Sequence, residues 1–429
     1  MHTILDPSLV NDDGLTEQAQ DKTAPQGMLF FHAKEGQPLS TPWQVATARS
    51  AMLKMCDLPK GLIVDCACGS GLQLAAHASI LQRPALGIEL SPQRAQASAK
   101  NMQIVARQLK AESKPWFKES RILAGDGTDA PGALEVLRGH IDAPVALLHL
   151  DPARPRNSRT HGLDEMQPSL DDVFAAWTPY FAEHPRGPAL LLDLSPRLTT
   201  VQRNKVEALV DNIWPGLGRT WVWTSRGRGR VDRLALWLGA ASSEGVARRF
   251  VRIPPRLGDE PLVLSTALES DEETFPKPNI YPPKRGEYVS ILDAALLESG
   301  LVSTWLEGVS KEGMGRWASV DGRRPQLHHD HPLQPVKRND NLLIQATGKV
   351  VALIREPLSD QSIDGLVEIA LEHNMKSLTL RLNMDPADQP KWQGSLDRQL
   401  SRRHGERDGF VAQHPSGDVL LLCVCHSES

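Results

Sequence analysis

Between Gly61 and Gly239 the chain alternates short apolar runs with amphipathic stretches, and this rhythm narrows the folds open to it. The runs are LIVDCA, ALGIEL, RILAGD, VALLHLD, ALLLDLS, TWVWTS and LALWLG. Runs this apolar, without polar alternation, suit strands buried on both faces of a parallel sheet. The stretches between them have helical character. Ser91-Pro92 forms a helix start, and Ala95, Ala99, Met102 and Val105 follow at helical spacing. The last two runs are separated only by RGRGRVDR, too short for a crossover helix, so they are expected to pair as an antiparallel hairpin. The expected core is an α/β doubly wound sheet of seven strands that ends in that hairpin.

At 429 residues the chain exceeds one comfortable core. Residues 1–36 are expected to form a loose, partly disordered tail, with five acids against one Lys before position 24. The first domain is expected over 37–242. It opens on a helix with Ser40 or Thr41 as N-cap and Pro42 in its first turn. Residues 243–340 form a Pro-rich connector with one short helix near 289–308. Residues 341–429 form a second, smaller α/β domain, with LLIQATG, KVVALIRE, SLTLRLNM, GFVAQHP and VLLLCVC as strands. Helices are expected there from Ser362 to His373 and from Gly394 to Arg403. The N-terminus lacks the basic start and apolar run of a secretion signal, and no stretch reaches roughly 18 apolar residues. A cytoplasmic protein without membrane contact is expected. The five Cys lie mostly in strand-like runs and are expected to be small buried hydrophobes, which argues against a disulfide framework.

The segment Asp65-Cys66-Ala67-Cys68-Gly69-Ser70-Gly71 carries the most chemistry. Glycines at a strand end let backbone approach a ligand closely, and the next helix N-terminus favours electronegative groups. A dinucleotide fingerprint needs a small residue at position 74, where Leu74 stands, and no Lys-Ser/Thr follows to make a P-loop. A compact cofactor without a pyrophosphate fits; a tight turn without a ligand is the alternative. Glu89 closes the next strand, where a carboxylate can accept both ribose hydroxyls of an adenosyl group, or simply cap a helix. Asp126 ends the third strand, in reach of an adenine amino group, with Asp129 as a helix N-cap. The predicted cofactor residues are Asp65, Ala67, Cys68, Gly69, Gly71, Glu89, Asp126 and Asp151.

Strand VALLHLD ends in Asp151-Pro152-Ala153-Arg154. This resembles the Asp/Asn-Pro-Pro-aromatic loop with which amino methyltransferases grip a target nitrogen, except that Arg154 stands where the ring would be. A guanidinium there can stack on a base or hold a phosphate. Asp151, Pro152 and Arg154 are the catalytic candidates, Asp151 taking the target proton. Ser195 and Pro196, at the end of the next strand, form either a pocket wall or a strand-to-helix connection. No Cys lies at either of these two strand ends, which disfavours a covalent thiol mechanism. The net charge of -4 means that a nucleic-acid partner would need a local basic patch. Arg226, Arg228 and Arg230 are the candidates, in a stretch with nine Arg and four acids between 219 and 260, which is otherwise a solvated face. His328-His329-Asp330-His331 lacks helical or Cys-containing metal spacing and is expected to be a polar loop, with no metal.

With these residues in place, the chain resembles the bacterial and archaeal class I methyltransferases that carry a C-terminal THUMP-like domain. The resemblance runs from about Gln37 through STPWQVATARSAML (with Thr41, Ala46 and Arg49), VDCACGSG, the DPAR loop, LSPRL and GEYVSILDAALLESGLV. Pro155 follows Arg154 where that family more often has a second Arg, and Glu298-Ser299 replaces its Arg-Ala. The resemblance implies a Rossmann-like methyltransferase sheet, S-adenosyl-L-methionine as cofactor and a THUMP-like module from about 341. It also implies an RNA substrate, tRNA or rRNA, methylated on a base nitrogen. A methyltransferase for a small molecule or protein side chain, and a non-catalytic RNA-binding protein, are the alternatives. The sequence names no oligomeric state.

Overall fold

The computed structural model describes residues 2–11, 18–32, 41–153, 162–227, 229–268, 275, 277–310, 315–337, 339–385 and 387–425. The chain divides into two compact units: residues 1–225 with 231–269, and residues 226–230 with 270–429.

In the first unit, β1 (Thr3–Leu5), β2 (Gln18–Gln20) and β3 (Leu29–Phe31) precede the expected strands. These are β4 (Leu62–Asp65), β5 (Ala85–Glu89), β6 (Arg121–Ala124), β7 (Val145–Leu150), β8 (Leu190–Leu194), β9 (Arg219–Ser225) and β10 (Arg233–Leu238), followed by β11 (Arg248–Arg252) and β12 (Leu262–Thr266). The main sheet runs β1-β6-β5-β4-β7-β8-β10-β9-β11-β12. β6, β5, β4, β7 and β8 are parallel neighbours, and β10 is antiparallel to both β8 and β9. β4, β5 and β7 are wholly buried, as their predominantly apolar sequences require. The strand order reverses at β4, so a crevice opens beyond its carboxyl end, between β5 and β7. The helices covering the sheet include α1 (Trp43–Leu53), α2 (Leu72–Leu81), α3 (Pro92–Gln108), α4 (Pro115–Lys118), α5 (Ala130–Leu137), α6 (Leu170–Trp177) and α7 (Thr200–Ile213). Ser91 caps α3 and Asp129 caps α5, as expected.

The sheet has ten strands among the described residues rather than seven. β1 pairs with β6, Thr3 opposite Ala124, and β11 pairs in parallel with β9. The expected tail is thus built into the unit. Met28, Phe30 and Phe31 are buried, and Asn101 on α3 holds the backbone N–H and C=O of Phe31 at 2.8 and 2.9 Å. Of the five acids that suggested disorder, Asp6 and Asp21 lie among the described residues, and both are engaged by the fold. The Asp21 carboxylate accepts the Trp43 N–H at 2.6 Å and the Thr23 hydroxyl accepts the Gln44 N–H at 3.2 Å, so the start of α1 is satisfied from outside the helix. Thr41 instead accepts from Arg233, and Ser40 lies outside the described residues.

The 243–340 segment is not a plain connector: it supplies strands to both sheets. In the second unit β13 (Tyr288–Leu292), β14 (Arg316–Ser319) and β15 (Gln326–His329) join β16 (Ile344–Ile354), β17 (Met375–Arg381), β18 (Arg407–Gln413) and β19 (Leu420–Cys425). The order is β14-β15-β13-β16-β19-β18-β17. Two expected strands, LLIQATG and KVVALIRE, merge into the single β16. Helices α8 (Ala294–Glu298) and α9 (Val302–Val309) follow β13. Helices α10 (Asp360–Glu372) and α11 (Gln389–Leu400) share an apolar core with Leu378, Leu380, Val411 and Leu422. His328 and His329, expected in a loop, lie buried in β15, where Gln326 bonds Nε2 of His328 at 3.0 Å and Ser290 bonds Nε2 of His329 at 2.8 Å. Burial, with His414 beside it, pushes His328 down to about 3.

Asn101 also donates to the Ser70 carbonyl at 2.8 Å, tying the N-terminal hairpin to the glycine turn. Asn101→Leu leaves three buried backbone groups without it and is expected to lower the unfolding free energy of the first unit by about 3 kcal/mol. Urea unfolding measures this, and a change below about 0.5 kcal/mol, the level of a neutral surface substitution, would contradict the anchoring role.

Candidate active site

Five acids stand at the carboxyl ends of five neighbouring strands: Asp65 on β4, Glu89 on β5, Asp126 just beyond β6, Asp151 just beyond β7 and Asp193 on β8. The turn after β4 needs its glycines for different reasons. Gly71 has φ +72°, and a Cβ there would meet the Ser98 hydroxyl of α3 at 2.1 Å. Gly69 has φ +54°, and a Cβ there would meet nothing within 4 Å, so its backbone is open to an approaching group. The Gly69 N–H donates to one Glu89 oxygen at 3.0 Å, and the Ser91 N–H donates to the other at 2.9 Å. Arg94 pairs with the Ser91-bonded oxygen at 2.6 Å from a side chain 40% exposed. The loop beyond β6 presses on the same turn, because a Cβ on Gly127 would lie 2.0 Å from the Cys66 carbonyl oxygen. Asp126 is exposed; its Oδ1 accepts the Thr128 N–H and hydroxyl at 2.9 and 2.8 Å. Leu90, directly after Glu89, leaves 74% of its apolar surface exposed. It borders a cleft of about 530 Å³ that Asp126 and Gly125 also line.

Beneath this rim lies a buried chain of alternating charge. Asp65 accepts the Ala67 N–H at 3.2 Å on one oxygen and His149 Nδ1 at 2.7 Å on the other. His149 Nε2 lies 3.3 Å from Asp193, whose two oxygens take both terminal nitrogens of Arg49, one at 2.7 Å. Arg49 also donates to Gln73 at 3.1 Å. Arg49, Asp65, His149 and Asp193 are all at most 2% exposed. A ring with a carboxylate at each nitrogen donates to both only as the imidazolium. Burial alone would lower the pKa of His149, but the Asp65 charge and the hydrogen bonds to Asp193 and Asp65 push it up to about 10. Burial alone would raise Asp193, but Arg49 and His149 hold it well below the carboxylate range. His77 on α2 packs edge-on to His149 at 5.5 Å; burial, with His149 and Arg49 beside it, keeps it far below its ordinary range.

Asp151 lies on the other side of the crevice, 3.3 Å from Arg233, which donates to Thr41 at 2.8 Å. Burial raises the Asp151 carboxyl above its ordinary range, against the pull of Arg233. Pro152 is buried, and Ala153 is exposed and bridges to Gln167. Arg154 and Arg228 lie outside the described residues. Ser195 is buried and accepts the Arg197 N–H at 3.2 Å within its own turn, with Pro196 half-buried beside it, and Thr199 rather than Ser195 caps α7. The five acids are brought to one edge, but Arg226 and Arg230 belong to the second unit.

The Arg-rich stretch does not form a single face. Arg219 pairs with Asp211 and Arg233 with Asp151, while Arg248 and Arg252 donate to the carbonyls of Leu268 and Ile253. Sequence reasoning assigned no role to His149, Arg49 or Gln73. The signal for His149 was present, as one polar residue inside the apolar run VALLHLD. All five Cys are free thiols, and burial pushes the Cys66 and Cys68 thiols well up. Among the described residues no group of His, Cys, Asp and Glu is arranged to hold a metal, and no helix is long and apolar enough to cross a membrane.

No family model and no curated protein matches the sequence. Among solved structures, a candidate methyltransferase from Porphyromonas gingivalis W83 matches with TM-score 0.52 and 17% identity, covering 92% of this chain and 83% of that one. The fold is therefore shared across nearly the whole chain. A candidate class I S-adenosylmethionine-dependent methyltransferase from Listeria monocytogenes matches at TM-score 0.33 and 13% identity, over 53% of this chain and 68% of its own. An O-methyltransferase from Bacillus cereus, solved with SAH, matches at 0.32 and 13%, over 47% and 82%.

The buried chain makes two predictions. Arg49→Met leaves Asp193 half-paired and is expected to destabilise the first unit by about 4 kcal/mol; urea unfolding at neutral pH measures it, and a loss under about 1 kcal/mol would contradict the pairing. Because His149 is raised in the folded state from 6.5 to about 10, its stabilisation is complete below pH 6.5 and is lost as pH climbs towards 10. Unfolding free energy of the first unit should fall across that window, and the fall should shrink in His149→Asn; equal slopes in both proteins would exclude the imidazolium.

Proposed function

We propose that this protein is a class I S-adenosyl-L-methionine-dependent methyltransferase acting on a base nitrogen in RNA, tRNA or rRNA. One observation carries the cofactor assignment: at the topological switch point, the Glu89 carboxylate is bonded to the N–H of Gly69, whose missing side chain leaves open space. A carboxylate fixed there suits a ribose diol, the Gly69 backbone suits the neighbouring polar atoms, and exposed Leu90 with Asp126 suits an adenine ring and its amino group. The strand order β6-β5-β4-β7-β8-β10-β9, with β10 antiparallel, is the class I methyltransferase arrangement and supports the same assignment.

Bound there, the cofactor supplies an electrophilic methyl group. The chain's own task is alignment of the acceptor, which dominates such a reaction. Asp151, with its pKa raised, can accept a hydrogen bond from an amine and take up its proton as the bond to carbon forms. Pro152 is packed in the core and fixes the backbone that presents Asp151. Arg154, Ser195 and Pro196 are the remaining candidates for the acceptor pocket. Asp65 acts from below: one oxygen holds the Ala67 N–H of the glycine turn and the other holds His149.

The RNA assignment rests on the sequence resemblance, with residues from about 341 as a THUMP-like module and Arg226, Arg228 and Arg230 as phosphate contacts. A methyltransferase for a small molecule or protein side chain is the second reading. It is favoured by the internal engagement of Arg219, Arg233, Arg248 and Arg252, which leaves the first unit less basic surface than its composition suggests.

Calorimetry should show S-adenosylmethionine binding that Glu89→Ala weakens at least about tenfold, roughly 1.4 kcal/mol; the absence of wild-type binding would make the fold a non-catalytic one. Methyl transfer from labelled cofactor should depend on added RNA, weaken steeply with salt and vanish in Asp151→Ala. Label appearing only in small molecules or protein would reject the RNA reading.

A further inference from the structure

The N-terminal strand β1 is an addition at the edge of the main sheet, and nothing in the seven-strand core requires it. It is nevertheless firmly built in. Thr3, Ile4 and Leu5 pair in register with Ala124, Leu123 and Ile122 of β6. Asp6 forms an ion pair with Arg121 at 3.3 Å, and His2 reaches Asp129, the N-cap of α5, at 3.0 Å. Gly125 accommodates this packing: a Cβ there would stand 2.1 Å from His2 Nδ1. The strand is therefore fixed along β6, by Asp6 at the start of β6 and by His2 at Gly125 beyond its end.

The segment Ala124-Gly125-Asp126 and β1 enclose the cleft of about 530 Å³, whose lining also includes Leu90, Pro92 and Gln96 from the start of α3 and its lead-in, with Thr3 and Leu5 contributed by β1. The volume is in the range of small-ligand sites. Its lining is mostly apolar, with Leu90 74% exposed, and has one carboxylate, Asp126, whose Oδ1 accepts both the N–H and the hydroxyl of Thr128. A mostly apolar slot with one carboxylate at its rim suits a flat heteroaromatic ring bearing an amino group. Glu89, the residue before Leu90, marks where the attached sugar would lie.

We infer that β1 is the outer wall of the adenine pocket, with Thr3 and Leu5 facing the ring that Leu90 supports and Asp126 recognises. The inference rests on the cofactor reading above and adds to it a contribution from outside the methyltransferase core. It makes the first few residues part of the binding site, and explains why a short edge strand is pinned by an ion pair and a buried His.

Thr3 is exposed, so Thr3→Trp fills the cleft without disturbing the core. Calorimetric titration of the full-length protein with S-adenosylhomocysteine should show a Kd at least about tenfold higher in Thr3→Trp, a loss of about 1.4 kcal/mol, and a smaller loss in Leu5→Ala. Thermal unfolding of each variant, with a Tm unchanged for Thr3→Trp, separates pocket loss from misfolding. Wild-type affinity in both variants would overturn the inference while leaving the cofactor reading intact. Failure of the wild-type protein itself to bind would overturn both.

Discussion

Four charges buried under the strand tips constrain everything built above them. Asp65, His149, Asp193 and Arg49 come from β4, β7, β8 and α1, and each is hydrogen-bonded to a group of opposite charge. Charges taken out of water are tolerated when every partner is present, and the loss of one leaves another uncompensated. The chain can therefore exist only if three parallel strands and the leading helix hold one relative position. The glycine turn hangs from its end through the bond from the Ala67 N–H to Asp65.

Above that brace, the two sides of the crevice have different characters. On the β5 and β6 side the groups are backbone amides, one carboxylate fixed by them and exposed apolar surface, which suits a ligand recognised by shape and a few hydrogen bonds. On the β7 side stands Asp151, a carboxyl raised by burial and steadied by Arg233 from the antiparallel strand β10. The hairpin that distinguishes this sheet from an ordinary nucleotide-binding one thus has a local use, since β10 brings the Arg233 cation to Asp151. The five acids that share one edge do different work: Asp65 and Asp193 join the buried charge chain, Glu89 ties the glycine turn to the start of α3, and Asp126 and Asp151 lie nearer solvent.

The arginines show how composition and placement can diverge. A stretch with nine Arg and four acids looks like one basic face when written as a line. Folded, it threads through β9, β10 and β11, whose side chains alternate between faces, and the guanidiniums of Arg219, Arg233, Arg248 and Arg252 go to separate carboxylates and carbonyls. The tip of the hairpin, with Arg226 and Arg230, is grouped with the C-terminal unit.

What the sequence determined by itself was local. Unbroken apolar runs gave the buried strands β4, β5, β7 and β8, the short spacer gave the antiparallel β9–β10 pair, Ser91-Pro92 gave the start of α3, and the glycines after Asp65 marked the turn. Each follows from periodicity or backbone freedom, which act within a few residues. The tertiary structure alone decided which charges meet: His149 between Asp65 and Asp193, Asp21 at the start of α1, Arg94 on Glu89. It also decided that short strands such as β1 and β11 join a sheet at all. A three-residue strand carries too little periodicity to be seen in sequence, and an ion pair between residues 144 apart, as for Arg49 and Asp193, is a product of chain topology that no local pattern encodes.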